Sequence, residues 1–104
     1  MIHSKTDFTQ AKGWLLGPWN SRLDLPTGWA TQGVDEPHHH AQMNEVYLVA
    51  RGQSTAIVSG EAVSLKAGDV LVVEPGEAHT FTQSSPDYLH FVLQTPFIEG
   101  DKVV

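Results

Sequence analysis

The chain has 104 residues, 40% of them hydrophobic, so one domain is expected whose folding buries roughly two-thirds of the unfolded chain's surface without staples. The absence of cysteine excludes disulfides, thiolate zinc sites, iron–sulfur clusters and cysteine nucleophiles together. Six basic against twelve acidic residues give a net charge of −6, which lacks the basic footprint of a nucleic-acid binder and leaves six histidines as the feature to explain.

Taken in chain order, Met1 to Asp7 places no apolar stretch behind Lys5. No secretory signal is therefore expected, and a cytoplasmic location is the default reading. Asp7 to Lys12 reads as one helical turn. Trp14-Leu15-Leu16 and Ser21-Arg22-Leu23-Asp24-Leu25 read as strands, the second alternating cleanly. Gly13, Gly17-Pro18, Pro26-Thr27-Gly28 and Gly33 punctuate them, and residues 26–37 read as a loop or a short strand pair.

From Gly52 onward, turn signals recur at strand-length spacing: Gly52, Ser59-Gly60, Ala67-Gly68-Asp69, Pro75-Gly76 and Ser84-Ser85-Pro86-Asp87. Between and beside them, Glu45–Ala50 and Tyr88–Gln94 are rich in β-branched and aromatic residues. Thr55–Val58, Ser59-Gly60 and Ala62–Leu65 read as a tight hairpin. The longest apolar run, Val70–Val73, falls far short of the roughly 20 residues of a membrane span. No window carries a 3.6-residue apolar period. The fold class is all-β, a sandwich or a barrel.

Chemistry concentrates around the histidine run. In a strand, His38 and His40 share a face with Cα atoms roughly 6.6 Å apart, while His39 points the other way. Glu45 opens the next apolar strand, and a short bend over Ala41–Asn44 brings its carboxylate beside both imidazoles. His79 follows the Pro75-Gly76 turn and approaches from a neighbouring strand. Three neutral imidazoles and one carboxylate form a mixed nitrogen and oxygen site of the kind that suits divalent first-row metals.

His38-x-His40-x4-Glu45-x6-Gly52 resembles the first conserved motif of the cupin superfamily. Gly68-x5-Glu74-Pro75-Gly76-x2-His79-x3-Gln83 resembles the second. The two motifs cover about 33–52 and 68–83 and place the chain, 1–104, as a small single-domain cupin of the conserved-barrel, cupin 2-like kind. The resemblance implies a jelly-roll barrel (a double-stranded β-helix), with His38, His40, Glu45 and His79 as ligands of one divalent transition metal, Fe, Mn, Ni, Co or Zn. It departs from the pattern at Gln32, where a glycine is usual, at Glu74 in place of proline, and at Gln83 in place of asparagine. None of these is a ligand position.

The activity implied is that of a metal-dependent enzyme on a small organic substrate, of oxygenase, isomerase or cyclase type; the alternative is a non-catalytic binding or sensing module. No catalytic residue is specified, and His90, Tyr47 and Glu74 are the candidates to act beside the metal. Tyr47 and Phe81 share parity with Glu45 and His79 and are expected to line the same interior. His90 shares a face with Tyr88, Val92 and Gln94, and two readings stand: a proton donor or substrate contact beside the metal, or a histidine satisfied elsewhere. Glu74 and Glu77 flank a turn and read as solvated, with Glu74 alternatively acting at the barrel mouth. Trp14, Trp19 and Trp29 read as packing residues, Arg22 as surface, and His39 and His3 as bystanders. The outward set Val46, Leu48 and Ala50 is apolar and needs cover. The resemblance to cupins that dimerise through one sheet implies a homodimer, with the N-terminal strands over 13–31 at its interface, and neither nucleic acid nor membrane is expected as partner.

Overall fold

The computed structural model describes residues 1–32 and 37–104. The expectations placed on Gly33 and on the middle of the 26–37 stretch lie outside the described residues. Ten strands and no helix occur among the described residues. They are β1 (Lys12–Leu16), β2 (Thr27–Ala30), β3 (His39–His40), β4 (Asn44–Arg51), β5 (Gln53–Val58), β6 (Glu61–Lys66), β7 (Val70–Val73), β8 (His79–Thr82), β9 (Leu89–Thr95) and β10 (Lys102–Val103). A five-stranded sheet runs β1-β2-β9-β4-β7, a three-stranded sheet runs β6-β5-β8, and β10 pairs with β3. Every strand pairing is antiparallel. This is the jelly-roll arrangement expected from the motifs.

Two-residue alternation decides which side chains enter the barrel. Along β4, Glu45, Tyr47 and Val49 are buried while Leu48 and Ala50 are exposed. Along β8, His79 and Phe81 are buried and Thr82 is exposed. The core joins the inner faces of the two large sheets: Tyr47, Val49, Val73 and Tyr88 meet Ala56, Leu65 and Phe81. Functional and core residues thus occupy one interior.

The Ser59-Gly60 hairpin joins β5 to β6 as the sequence suggests, with Val58 opposite Glu61. Both turn residues have positive φ, 49° at Ser59 and 82° at Gly60, as a type I′ turn requires. Two N-terminal expectations are overturned. Asp7–Lys12 is a turn, not helix: the Asp7 carboxylate accepts the Thr9 amide and hydroxyl at 3.0 and 2.6 Å, and Lys12 already belongs to β1. That local bond holds the Asp7 carboxyl below its usual range and offers the backbone an alternative to the helix. Ser21–Leu25 is not a strand either. Ser21 Oγ accepts the Leu23 amide at 3.0 Å, Arg22, Leu23 and Asp24 are exposed, and no strand lies opposite. The regular strand there is instead β2, clamped between β1 and β9.

Gly52 takes φ of 76° where β4 turns into β5, and a Cβ there would stand 2.5 Å from Ser85 Oγ and 2.7 Å from the Tyr88 Cα. At Gly60 the φ is equally left-handed, but a Cβ would meet nothing within 4 Å. Gly60→Ala is expected to cost about 1–2 kcal/mol for the left-handed backbone alone. Gly52→Ala adds overpacking of about 1–3 kcal/mol. Urea unfolding of both variants checks this; equal midpoints would contradict the packing account.

Candidate metal centre and cavity

The histidine run is held on both sides by backbone bonds. His38 and His79 exchange amide–carbonyl bonds of 3.2 and 2.8 Å, so the end of the run is stitched to the start of β8. His40 lies opposite Lys102 of β10, and its carbonyl accepts the Gly76 amide at 2.7 Å. His38 and His40 therefore face the interior together, as their spacing implies, and His39 is only partly buried opposite Val103. The loop to Glu45 is set by Asp101. Its carboxylate accepts the Gln42 and Met43 amides, each at 2.9 Å, and its carbonyl accepts the Ala41 amide at 3.2 Å. Burial pushes the Asp101 carboxyl up, but these backbone donors and the nearby His40 outweigh it and hold it below the usual carboxylate range.

One ligand atom from each of His38, His40, Glu45 and His79 lies within 4.8 Å of the other three. Opposite ligands of one ion at bonds of about 2.1 Å stand roughly 4.2 Å apart, so these four atoms need only small movements to share one. The hydrogen bonding points the same way. His79 Nδ1 donates to the Glu77 carbonyl at 3.0 Å, which leaves Nε2 as the nitrogen bearing the lone pair. That nitrogen lies 2.9 Å from Glu45 Oε1, itself an acceptor. Two acceptors in contact call for a proton or a cation between them. His40 Nε2 is 3.0 Å from the same oxygen, yet neither ring nitrogen of this buried histidine makes a hydrogen bond. A divalent cation answers all three observations.

Two further residues support the carboxylate. Tyr47, on the same face of β4, donates its hydroxyl to Glu45 Oε1 at 2.9 Å and lies 3.2 Å from His79 Nε2. Gln94, directly opposite Glu45 in the β4–β9 register, donates to Oε2 at 3.2 Å. Burial pushes the Glu45 carboxyl up, but the nearby His40 and the bonds from His79 and Gln94 prevail and hold it far below the carboxylate range. Burial pushes His79 down, but the bond and charge of Glu45 and the Glu77 carbonyl raise it overall.

The cluster forms one end of a cavity of about 440 Å³. Tyr47, Phe81, Val92 and His90 line its walls, as do Lys12, Trp14 and Lys102. His90 is 3% exposed and opposite Val49 and Ala30, so its side chain belongs to the interior, where Nδ1 meets the Tyr88 hydroxyl. Glu74 is exposed in the turn after β7 and does not line the cavity. Arg22 and His3 are exposed, Trp19 leans edge-on against Trp14, and Trp29 is buried beneath Phe8. Sequence reasoning missed Asp101 and the two cavity lysines. Only Gln94 carried a signal, its shared parity with His90.

The sign of the pH dependence follows. His79, raised above its unfolded value, stabilises the metal-free fold below about pH 6.5 and loses that contribution as pH rises through its folded pKa. Glu45, depressed, stabilises above about pH 4.5 and loses its contribution below that. Burial lowers His90 to about 4, with Glu45 opposing, so the fold also loses stability as pH falls below about 6.5. Metal-free protein is expected to be most stable near pH 6–6.5. A divalent metal displaces the His79 proton, so metal-loaded protein should gain stability up to about pH 8 and bind weakly near pH 5. Thermal melts with chelator and with metal across this range check the reversal; parallel profiles would contradict it.

The profile of the cupin domain matches residues 25–94. The oxalate-binding protein of Thermotoga maritima is 31% identical over 72 residues, which cover 69% of this chain and 56% of that protein. The chain spans about half the length of the curated relatives it matches. Two solved structures superimpose with a TM-score of 0.73. One is a cupin 2 conserved barrel domain protein from Salinispora arenicola, 16% identical, with 90% of this chain and 87% of that chain covered. The other is the DMSP lyase DddQ of Ruegeria pomeroyi, 21% identical, with 90% and 50% covered. At these identities the structures speak for the fold alone. Both motifs, the strand order and a profile spanning well over half of the sequence agree: this chain belongs to the cupin family.

Proposed function

We propose that His38, His40, Glu45 and His79 hold one divalent transition metal, from among Fe, Mn, Ni, Co and Zn, and that the cavity beside it takes a small organic anion. The observation that carries this reading is the contact between two acceptors, His79 Nε2 and Glu45 Oε1, next to a buried His40 that lacks hydrogen bonds. A metal bound by these four residues would supply Lewis acidity toward a ligand oxygen. The chain's own residues do the rest. Tyr47 and Gln94 fix the Glu45 carboxylate, and Asp101 fixes the loop between His40 and Glu45. Tyr47, Phe81 and Val92 exclude water from the ligand's apolar part. Lys12 and Lys102 favour a negatively charged ligand, in a chain that is otherwise acidic.

Within this reading the protein is a metal-dependent enzyme of oxygenase, isomerase or cyclase type. The relative named for oxalate binding favours a second version, binding or sensing without turnover. Metal analysis of untagged protein, followed by oxalate titration, tests the shared claim. About one metal per chain and metal-dependent oxalate binding are expected. Asp101→Ala should keep the fold and weaken metal about 10–100-fold, as loss of an outer partner does. Metal-independent binding, or full metal content in Glu45→Gln with His40→Ala, would contradict it.

We also propose a homodimer. Val46, Leu48, Val70 and Val72 share the outer face of β4 and β7, with Val70 60% and Val72 50% exposed. Packing this face and the N-terminal strands over 13–31 against a second copy removes that apolar surface from water. Light scattering at micromolar concentration should give the dimer mass; a monomer mass would overturn this.

A further inference from the structure

The buried pair of His90 and Tyr88 plays no part in holding a metal, yet its geometry is specific. Tyr88 is fully buried and His90 is 3% exposed. The Tyr88 hydroxyl lies 2.6 Å from His90 Nδ1. The contact is shorter than the usual 2.7–3.2 Å of an N–H···O bond and falls in the range of O–H donors, which favours the phenol as donor and Nδ1 as acceptor. The phenol stays protonated: burial pushes it up to about 12, against a bond from Ser54 that lowers it. Ser54 in turn lies 2.9 Å from Ser84 Oγ and 3.3 Å from the Thr82 carbonyl. A neutral imidazole with an accepting Nδ1 carries its hydrogen on Nε2. Burial lowers His90 to about 4 and keeps it neutral near pH 7. Nε2 lies across the ring from Tyr88, His90 lines the cavity, and no hydrogen bond to Nε2 occurs among the described residues.

We propose that Tyr88 locks His90 as its Nε2–H tautomer, making it a fixed hydrogen-bond donor that binds an acceptor oxygen of the ligand within the metal cavity. This deepens the proposed function and rests on its reading of the cavity as a ligand site. The consequence is a specificity rule. With its only lone pair engaged by Tyr88, neutral His90 offers the ligand a donor and no base. The site accepts a carboxylate, carbonyl or hydroxyl oxygen at this position and rejects an ammonium group. The Tyr47 and Phe81 rings, each with its centroid 5.0 Å from that of His90, hold the imidazole in place from two sides. A ligand with metal-chelating oxygens at one end and a further acceptor oxygen at the other, a small oxo acid or dicarboxylate, meets both requirements.

The test uses full-length protein labelled with ¹⁵N-histidine. In metal-free protein near pH 7, long-range ¹H–¹⁵N correlation should show His90 as the Nε2–H form, and Tyr88→Phe should turn it into a mixture. A predominant Nδ1–H form in the wild type would overturn the proposal. In zinc-loaded protein, saturation with oxalate should shift the Nε2 resonance. His90→Leu should bind oxalate about tenfold or more weakly at unchanged zinc content, and His90→Gln, which keeps a donor, should recover most of the loss. An unmoved Nε2, or equal affinity in a folded His90→Leu, would overturn it. Loss of zinc binding in the wild type would instead sink the metal reading, and the tautomer measured without metal would still decide the lock.

Discussion

The cavity is organised around one oxygen atom. Glu45 Oε1 is approached at 2.9 to 3.0 Å by the Tyr47 hydroxyl and by the Nε2 atoms of His79 and His40. A buried carboxylate in this setting is costly unless it is paired. Tyr47 and Gln94 donate to it, but His79, whose Nδ1 proton is committed to the Glu77 carbonyl, pairs with it only when doubly protonated or when a cation intervenes. This constraint explains why histidines from two separate segments, His40 and His79, converge on β4. It also explains why His79 is raised while Glu45 is depressed. Without a cation the site must hold a proton to remain compact; with one, the same atoms become ligands.

Positioning this oxygen needs nearly every part of the barrel. The β4–β9 register sets Gln94 opposite Glu45, and the bridge between His38 and His79 ties the first motif to the second. The short C-terminal strand β10 closes the arrangement from outside, pairing with β3 and bringing Asp101 onto the loop before Glu45. In the same cavity, His90 hangs from Tyr88 rather than from the carboxylate. The interior thus has two polar poles, one built to be anionic and one neutral, separated by Tyr47 and Phe81.

Much of this was legible from side-chain periodicity. His38 and His40 share a face, Glu45 shares one with Tyr47 and Val49, and His79 shares one with Phe81, because a strand's period of two is insensitive to register. Glycine spacing supplied the turns, and Ser59-Gly60 behaves as its residue types demand. What escaped depends on partners distant in sequence. The side of His90 was undecided until its register against Val49 and Ala30 fixed the interior. Asp101 acts on amides almost sixty residues away, and nothing local marks it. Conversely, the alternation at Ser21–Leu25 is real as a pattern but finds no strand to pair with, and the Asp7 side chain captured the backbone that a helical turn would have used.

The central claim is that one ion joins the four side chains around Glu45. X-ray absorption spectroscopy of protein reconstituted with a single equivalent of zinc tests it most directly. The account predicts a first shell of nitrogen and oxygen at about 2.0–2.2 Å, with outer scattering from three imidazoles. In Glu45→Gln one oxygen should be lost or lengthened while the three imidazoles remain. A shell with fewer than two imidazoles in the folded wild-type protein would contradict it.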